Sequence, residues 1–168
     1  AMTAAGLNAG TAGNVSARCG EGFLITPTGM AYDRLQAEDI PFMTLDGESR
    51  GRRKPSSEWR FHRDLYATRP EAGAVVHAHS PYATSLACLR RDIPPFHYMI
   101  ARFGGDTVRC AGYATFGSQA LSDSALAALE DRNACLLANH GLLACGRDLD
   151  HALGLAVELE ELCGQYWR

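Results

Sequence analysis

The sequence predicts an α/β fold in which a sheet is covered on both faces by helices. Three observations carry this. Short strand-like runs crowd the middle of the chain, helical segments recur at intervals, and the connections between them are short. The 168 residues suit one domain spanning 1–168, long enough for a real core.

Composition bounds the function. Hydrophobic content of 46% and charged content of 21% match a soluble globular protein. A formal net charge of −3 argues against a general nucleic-acid binder. No apolar run approaches the ~18–20 residues of a membrane span, and no signal peptide is apparent. The expectation is therefore no nucleic acid, no membrane and a cytoplasmic location. The six cysteines are scattered without a C-x-x-C and read as buried thiols.

In chain order, Met2 to Leu7 has the character of the end of a helix. Residues 6–13 are rich in Gly, Asn and Thr and form a turn-rich loop. In 14–19, Val15, Ala17 and Cys19 alternate with polar residues as the apolar side of a half-buried strand. Gly20-Glu21-Gly22 turns the chain into a second strand over 23–26, which ends in the tight turn Pro27-Thr28-Gly29-Met30. Loops 10–16 and 26–29 offer amides and hydroxyls with little side-chain bulk. Gly29 lets the backbone approach a ligand closely. That chemistry suits a phosphate, although most Gly/Thr-rich turns bind nothing.

Residues 42–45 read as a strand, with Asp46-Gly47 its turn. The cluster Arg50, Arg52, Arg53 and Lys54 reads as a solvated loop. A helix follows from Ser56-Ser57, whose hydroxyls can cap it and whose free N–H groups attract anions. Phe61 and Leu65 share one of its faces, and it stops before Pro70. Glu58 has two readings here: a favourable partner of the helix dipole or a general acid/base.

The chain is organised around Val75-Val76-His77-Ala78-His79-Ser80-Pro81. In a strand, His77 and His79 project from the same face, with Cα atoms roughly 6.5–7 Å apart, so both rings can converge on one ion. Ser80-Pro81 reads as a helix N-cap followed by proline at the first helical position. The pair is either two satisfied imidazoles or two metal ligands. His140 offers a third, at a turn between the apolar runs 134–137 and 142–145, both read as strands. Three neutral imidazoles leave one tetrahedral corner open, the pattern of a catalytic rather than a structural zinc site.

Among the remaining elements, 81–89 is a short helix and Pro94-Pro95 breaks the chain before Phe96 to Ile100. Residues 107–111 form a strand after the Gly104-Gly105-Asp106 turn, and 122–131 a helix with Ala125, Leu126 and Leu129 inward. The longest helix runs from the cap Asp148 to Trp167. Its apolar stripe is Leu149, Leu153, Ala156, Leu159, Cys163 and Tyr166.

These residues together resemble the class II aldolase/adducin family. The matching motifs are Gly10-Thr11-Ala12-Gly13-Asn14-Val15-Ser16, Ile25-Thr26-Pro27-Thr28-Gly29, Pro55 to His62, Val75 to His79, His97 to Ala101, Tyr113 to Gly117 and Asn139-His140-Gly141-Leu142. They follow the family's order across nearly the whole chain. The resemblance implies a three-layer α/β/α sandwich around a mostly antiparallel sheet. It implies one zinc per subunit on His77, His79 and His140, with Glu58 as the acid/base. It also implies a substrate phosphate on Asn14, Thr28, Gly29, Ser56 and Ser57, and a C4 homotetramer with sites between subunits. Tyr98 then reaches into a neighbour's site as a catalytic residue, and Phe116 lines the aldehyde pocket.

The implied reaction is cleavage of a ketose 1-phosphate, best L-fuculose 1-phosphate, to dihydroxyacetone phosphate and a short aldehyde. Relatives acting on 5-deoxyribulose, methylthioribulose or sugar-acid phosphates are the alternative, as is ribulose-phosphate 4-epimerase, which usually has Asp where this chain has Glu58. A non-catalytic adducin-like binding module is a second alternative; such a module need not keep three histidines and Glu58. The sequence departs from the family pattern at the start of the N-terminal helix. It also stops at Arg168, ahead of the tail that carries another catalytic tyrosine in the family's aldolase.

Overall fold

The computed structural model describes residues 1–168. Its strands are β1 (Asn14–Cys19), β2 (Gly22–Ile25), β3 (Phe42–Thr44), β4 (Ser49–Arg50), β5 (Ala74–Ala78), β6 (Cys110–Ala111), β7 (Ala134–Leu137) and β8 (Gly141–Gly146). They form one sheet in the order β4-β3-β2-β1-β5-β8-β7-β6. Every neighbouring pair is antiparallel except β6 with β7. Helices α1 (Trp59–Thr68) and α3 (Gln119–Ala128) pack together on one face, α2 (Pro81–Cys88) and α4 (Leu149–Trp167) on the other. This is the three-layer, mostly antiparallel sandwich that the family resemblance implies.

Alternation along β5 sorts its side chains between two cores. Ala74, Val76 and Ala78 join Leu155, Leu159 and Leu162 of α4 in one hydrophobic cluster. Val75 joins Phe61 and Leu65 of α1 and Leu121 of α3 in the other. His77 shares the parity of Val75 and so lies on the α1 side, where its ring meets Phe61 at 5.5 Å. The site is thus built between the central strands and the start of α1.

Several expectations need correction. In β1 the buried side chains are Asn14 and Ser16, whereas Val15 and Ala17 are half-buried and Cys19 is exposed. The polar face turns inward because α1 offers it polar partners, so burial leaves no donor or acceptor stranded. On α4, Ala156, Leu159 and Cys163 are buried as expected, but Leu149 and Tyr166 are exposed. The inward stripe is completed by Ala152, Leu155 and Leu162. Helix α3 starts earlier than 122, because the Ser118 hydroxyl accepts from the Leu121 amide and caps it. The strand expected over 107–111 shrinks to β6, with Val108 forming a separate bridge to Ile93.

The basic cluster is not simply solvated. Arg52 and Arg53 both donate to the buried Asp39 carboxylate, at 3.0 and 2.9 Å. The Arg53 hydrogen bond leads the effects that hold that carboxyl below its usual range. Ser80 occupies the N-cap position of α2, yet its hydroxyl donates to Glu160 on α4 at 2.6 Å. The same Glu160 carboxylate accepts from the Tyr82 and Ala83 amides, so α4 supplies the cap. No helix is long and apolar enough to cross a membrane.

Candidate active site and metal centre

His77 lies in the last full turn of the pleat in β5, paired across the sheet with Asn14 and Leu143. His79 follows the strand, and its amide donates to the buried Asn8 side chain at 3.1 Å. His140 ends the three-residue link from β7 to β8, where Asn139 adopts φ 58°. Asparagine tolerates this left-handed conformation better than most residues. Gly141 is required next, since a Cβ there would lie 2.3 Å from the Ala78 carbonyl oxygen. Gly13 has φ +71°, and a Cβ there would meet the His77 carbonyl oxygen at 2.5 Å. Both glycines let neighbouring backbone close over the histidines.

The three rings form a nearly equilateral triangle. Their centroids are 4.8 Å apart for His77–His79, 4.7 Å for His77–His140 and 4.8 Å for His79–His140. Glu58 completes the group, and its ligand atoms and those of the three histidines all lie within 4.8 Å of one another. His77 Nδ1 faces the Leu142 carbonyl at 2.8 Å. A carbonyl only accepts, so Nδ1 carries the proton and Nε2 presents a lone pair to the centre. Burial, reinforced by His77, pushes both His79 and His140 down to about 4, so both are neutral near pH 7. Three imidazoles and a carboxylate converging on one point fit a divalent cation.

Glu58 precedes the first turn of α1 and makes no side-chain cap there. It points inward, with Oε2 3.2 Å from His77 Nε2 and Oε1 3.3 Å from His140 Nε2. Burial alone raises its pKa. The neighbouring His77 and His140 rings and the N–H donated by Asn14 outweigh that and hold it at about 2. The dipole-pairing reading of Glu58 therefore does not describe its contacts.

The 26–29 loop is stitched to the segment that leads into Ser56-Ser57. Pro27 bridges Pro55, the Thr28 amide donates to the Lys54 carbonyl at 3.2 Å, and the Ser56 amide donates to the Thr26 carbonyl at 3.1 Å. Thr28, Gly29 and Ser57 are exposed and Ser56 is buried. Ser56 Oγ accepts from the Glu58 amide at 3.3 Å, which links this loop directly to the acid/base candidate. The Asn14 side chain is engaged elsewhere: its Nδ2 donates to Glu58 Oε2 at 3.0 Å.

Phe116 lies beside the histidines. A cavity of about 300 Å³ is lined by Glu58, His79, His140, Asn139, Tyr113 and Phe116. The 116–117 segment is fixed by Arg60, which donates to the Gly117 carbonyl at 2.6 Å. Tyr98 does not line this cavity. It opens the 3₁₀ segment Tyr98–Phe103 and is 81% exposed.

Sequence reasoning missed His62. It is fully buried, within hydrogen-bond reach of Asn14 Oδ1 through Nε2 and 2.7 Å from Ser16 Oγ through Nδ1. Tyr66 extends the row, its hydroxyl 2.7 Å from Ser16 Oγ. The signal was present: Glu58, His62 and Tyr66 recur every four residues, opposite Asn14 and Ser16 at strand spacing.

Burial, helped by the nearby His77, holds His62 down at about 3. The unfolded value is about 6.5, so below that pH the unfolded chain takes up a proton that the folded chain refuses. Stability from this residue is thus lost as pH falls from about 6.5 towards 3, amounting to about 2 kcal/mol by pH 5. Chemical denaturation of wild type and His62→Gln at pH 7 and pH 5 checks this. The pH-dependent loss should be smaller in the variant by about that amount, and equal losses would contradict it.

Known proteins resemble this chain over nearly its whole length. The model of the Class II Aldolase and Adducin N-terminal domain family matches residues 1–167. A 5-methylthioribulose-1-phosphate/5-deoxyribulose-1-phosphate aldolase of Rhodospirillum rubrum is 59% identical, over 99% of this chain and 76% of that protein. An L-fuculose phosphate aldolase of Escherichia coli K12 is 50% identical, over 98% of this chain and 77% of that protein. The solved structure of an L-fuculose 1-phosphate aldolase superposes with a TM-score of 0.95 at 42% identity, covering 98% of this chain and 79% of that one.

Proposed function

The chain belongs to the class II aldolase and adducin family, and from that premise we propose that it cleaves a ketose 1-phosphate to dihydroxyacetone phosphate and a short aldehyde. We read residues 1–168 as one such domain. The observation that carries the reading is the Glu58–His77–His79–His140 group set directly after the Ser56-Ser57 loop. An adducin-like binding module has no need of that donor set.

Cleavage takes the proton from the C4 hydroxyl, which becomes the aldehyde, breaks the bond between C3 and C4 and leaves the electron pair on C3. His77, His79 and His140 would hold a divalent cation, in our reading zinc, and it would supply Lewis-acid stabilisation for that charge. Glu58, ionised and buried, moves the proton on and off C3. Thr28, Ser56 and Ser57 offer hydroxyls and Gly29 and Ser57 offer amides to the phosphate, a dianion that can accept from them without Lys or Arg. Asn14 is the remaining phosphate candidate, its amide being shared with Glu58. Phe116 and Tyr113 border the aldehyde end.

L-fuculose 1-phosphate and 5-deoxyribulose 1-phosphate both give an aldehyde ending in a methyl group, and methylthioribulose 1-phosphate one ending in a methylthio group. An aromatic wall suits each, and sulfur gains an extra contact with a ring. The identity of 59% to an aldolase of the deoxy and methylthio sugars favours that pair over fuculose. We further read the protein as a C4 homotetramer in which the partner subunit's Tyr98 completes the site, which accords with its exposure in a single chain.

The test is a side-by-side retro-aldol assay of these three ketose 1-phosphates with ribulose 5-phosphate, with sedimentation of the same sample. The expected result is release of dihydroxyacetone phosphate from a tetramer, fastest with the methylthio or 5-deoxy sugar. Preferred epimerisation of ribulose 5-phosphate without free aldehyde would reject the reaction. An active monomer would reject the role given to Tyr98.

A further inference from the structure

We propose that His62 is a positioning residue, which holds the Asn14 amide with its N–H end on Glu58 through a one-way chain of four buried hydrogen bonds. The inference rests on Glu58 as the acid/base. His62, Ser16 and Tyr66 lie outside the group of Glu58, His77, His79 and His140.

The direction of the chain follows from the Asn14 amide. Its nitrogen, which only donates, lies 3.0 Å from Glu58 Oε2. Its carbonyl oxygen faces His62 Nε2. That oxygen only accepts, so Nε2 carries the proton. A neutral ring then leaves Nδ1 bare, and Nδ1 accepts from the Ser16 hydroxyl at 2.7 Å. That spends the one Ser16 proton. The remaining contact, 2.7 Å to Tyr66 Oη, has Tyr66 as donor. Burial pushes the Tyr66 phenol up, which keeps its proton in place.

The chain is sealed from water. Asn14, Ser16 and Tyr66 are each 2% exposed and His62 is 0% exposed. Its two sides come from regular elements: Asn14 and Ser16 from one face of β1, His62 and Tyr66 from one face of α1. Such placement is needed because an asparagine amide has two nearly equivalent orientations about its last torsion. The wrong one sets a carbonyl oxygen against the Glu58 carboxylate. His62 removes that orientation by presenting a donor where only the oxygen fits. Chains of aligned hydrogen bonds also strengthen one another in a low-dielectric interior.

The test compares His62→Leu with His62→Gln in the metal-loaded protein, with metal content and melting temperature measured on each. Gln places an amide nitrogen near the position of Nε2 and can donate to Asn14; Leu cannot. His62→Leu should lower kcat on the order of ten-fold with KM little changed, the pattern of lost transition-state stabilisation. His62→Gln should recover most of that loss. Turnover that merely follows melting temperature, or Leu and Gln variants of equal rate, would overturn the proposal. So would a loss expressed in KM alone.

If His62→Leu does not fold, ¹⁵N spectra of the wild-type imidazole decide alone. They should show Nε2 protonated and Nδ1 bare from pH 5 to 8, and an Nδ1–H tautomer or an imidazolium would overturn the proposal. A wild-type protein without aldolase activity would reject the proposed reaction but leave this spectral test standing.

Discussion

Glu58→Gln is expected to reduce turnover by about 10²–10⁴-fold, the usual contribution of a general acid/base, while the protein stays folded and keeps its metal. Gln keeps the size of the side chain and an oxygen that can still accept from Asn14. What it removes is the capacity to take a proton and the negative charge beside His77 and His140. The relevant measurements are steady-state kinetics on the best ketose 1-phosphate, metal content and circular dichroism on one preparation. Near-wild-type turnover would reduce Glu58 to a partner of the histidines. Loss of metal together with activity would instead make it a required ligand.

His140→Ala should abolish stoichiometric metal binding, and turnover with it. One corner of the near-equilateral imidazole triangle disappears. Loss of an outer partner alone costs roughly 10–100-fold in metal affinity, and loss of a direct ligand should cost more. A ligand that binds only the folded state raises stability by mass action, so added zinc should raise the melting temperature of wild type and leave that of His140→Ala unchanged. A variant with full metal occupancy and activity would remove His140 from the site.

The parts of the site that were legible in the sequence are those where one local rule applies. His77 and His79 share a strand face, and His140 stands out because imidazole is an unusual choice for a tight turn between apolar runs. The adjoining Gly141 and the left-handed Asn139 fit the same turn. The β1 face was misjudged because alternation identifies two faces without saying which is buried. Val15, Ala17 and Cys19 are the apolar choice, but Asn14 and Ser16 go inside because partners 46 and 50 residues away satisfy Ser16. No window along the chain contains that information. Tertiary context likewise shifted the stripe of α4, whose end residues Leu149 and Tyr166 escape the core. It also transferred the α2 cap from Ser80 to Glu160, 80 residues on.

The two ends of the sheet have a further consequence. β4 and β6 are each two residues long, and β4 is fully exposed and carries Arg50. A stray strand laid against either edge could make only about two main-chain hydrogen bonds before running out of ladder, and at β4 it would meet a guanidinium. Eight strands thus accumulate without offering a template for fibril growth or strand exchange. The tetramer proposed above would therefore be joined through the side chains of loops and helices, where a mismatch can be refused, and not through backbone, which pairs with any sequence.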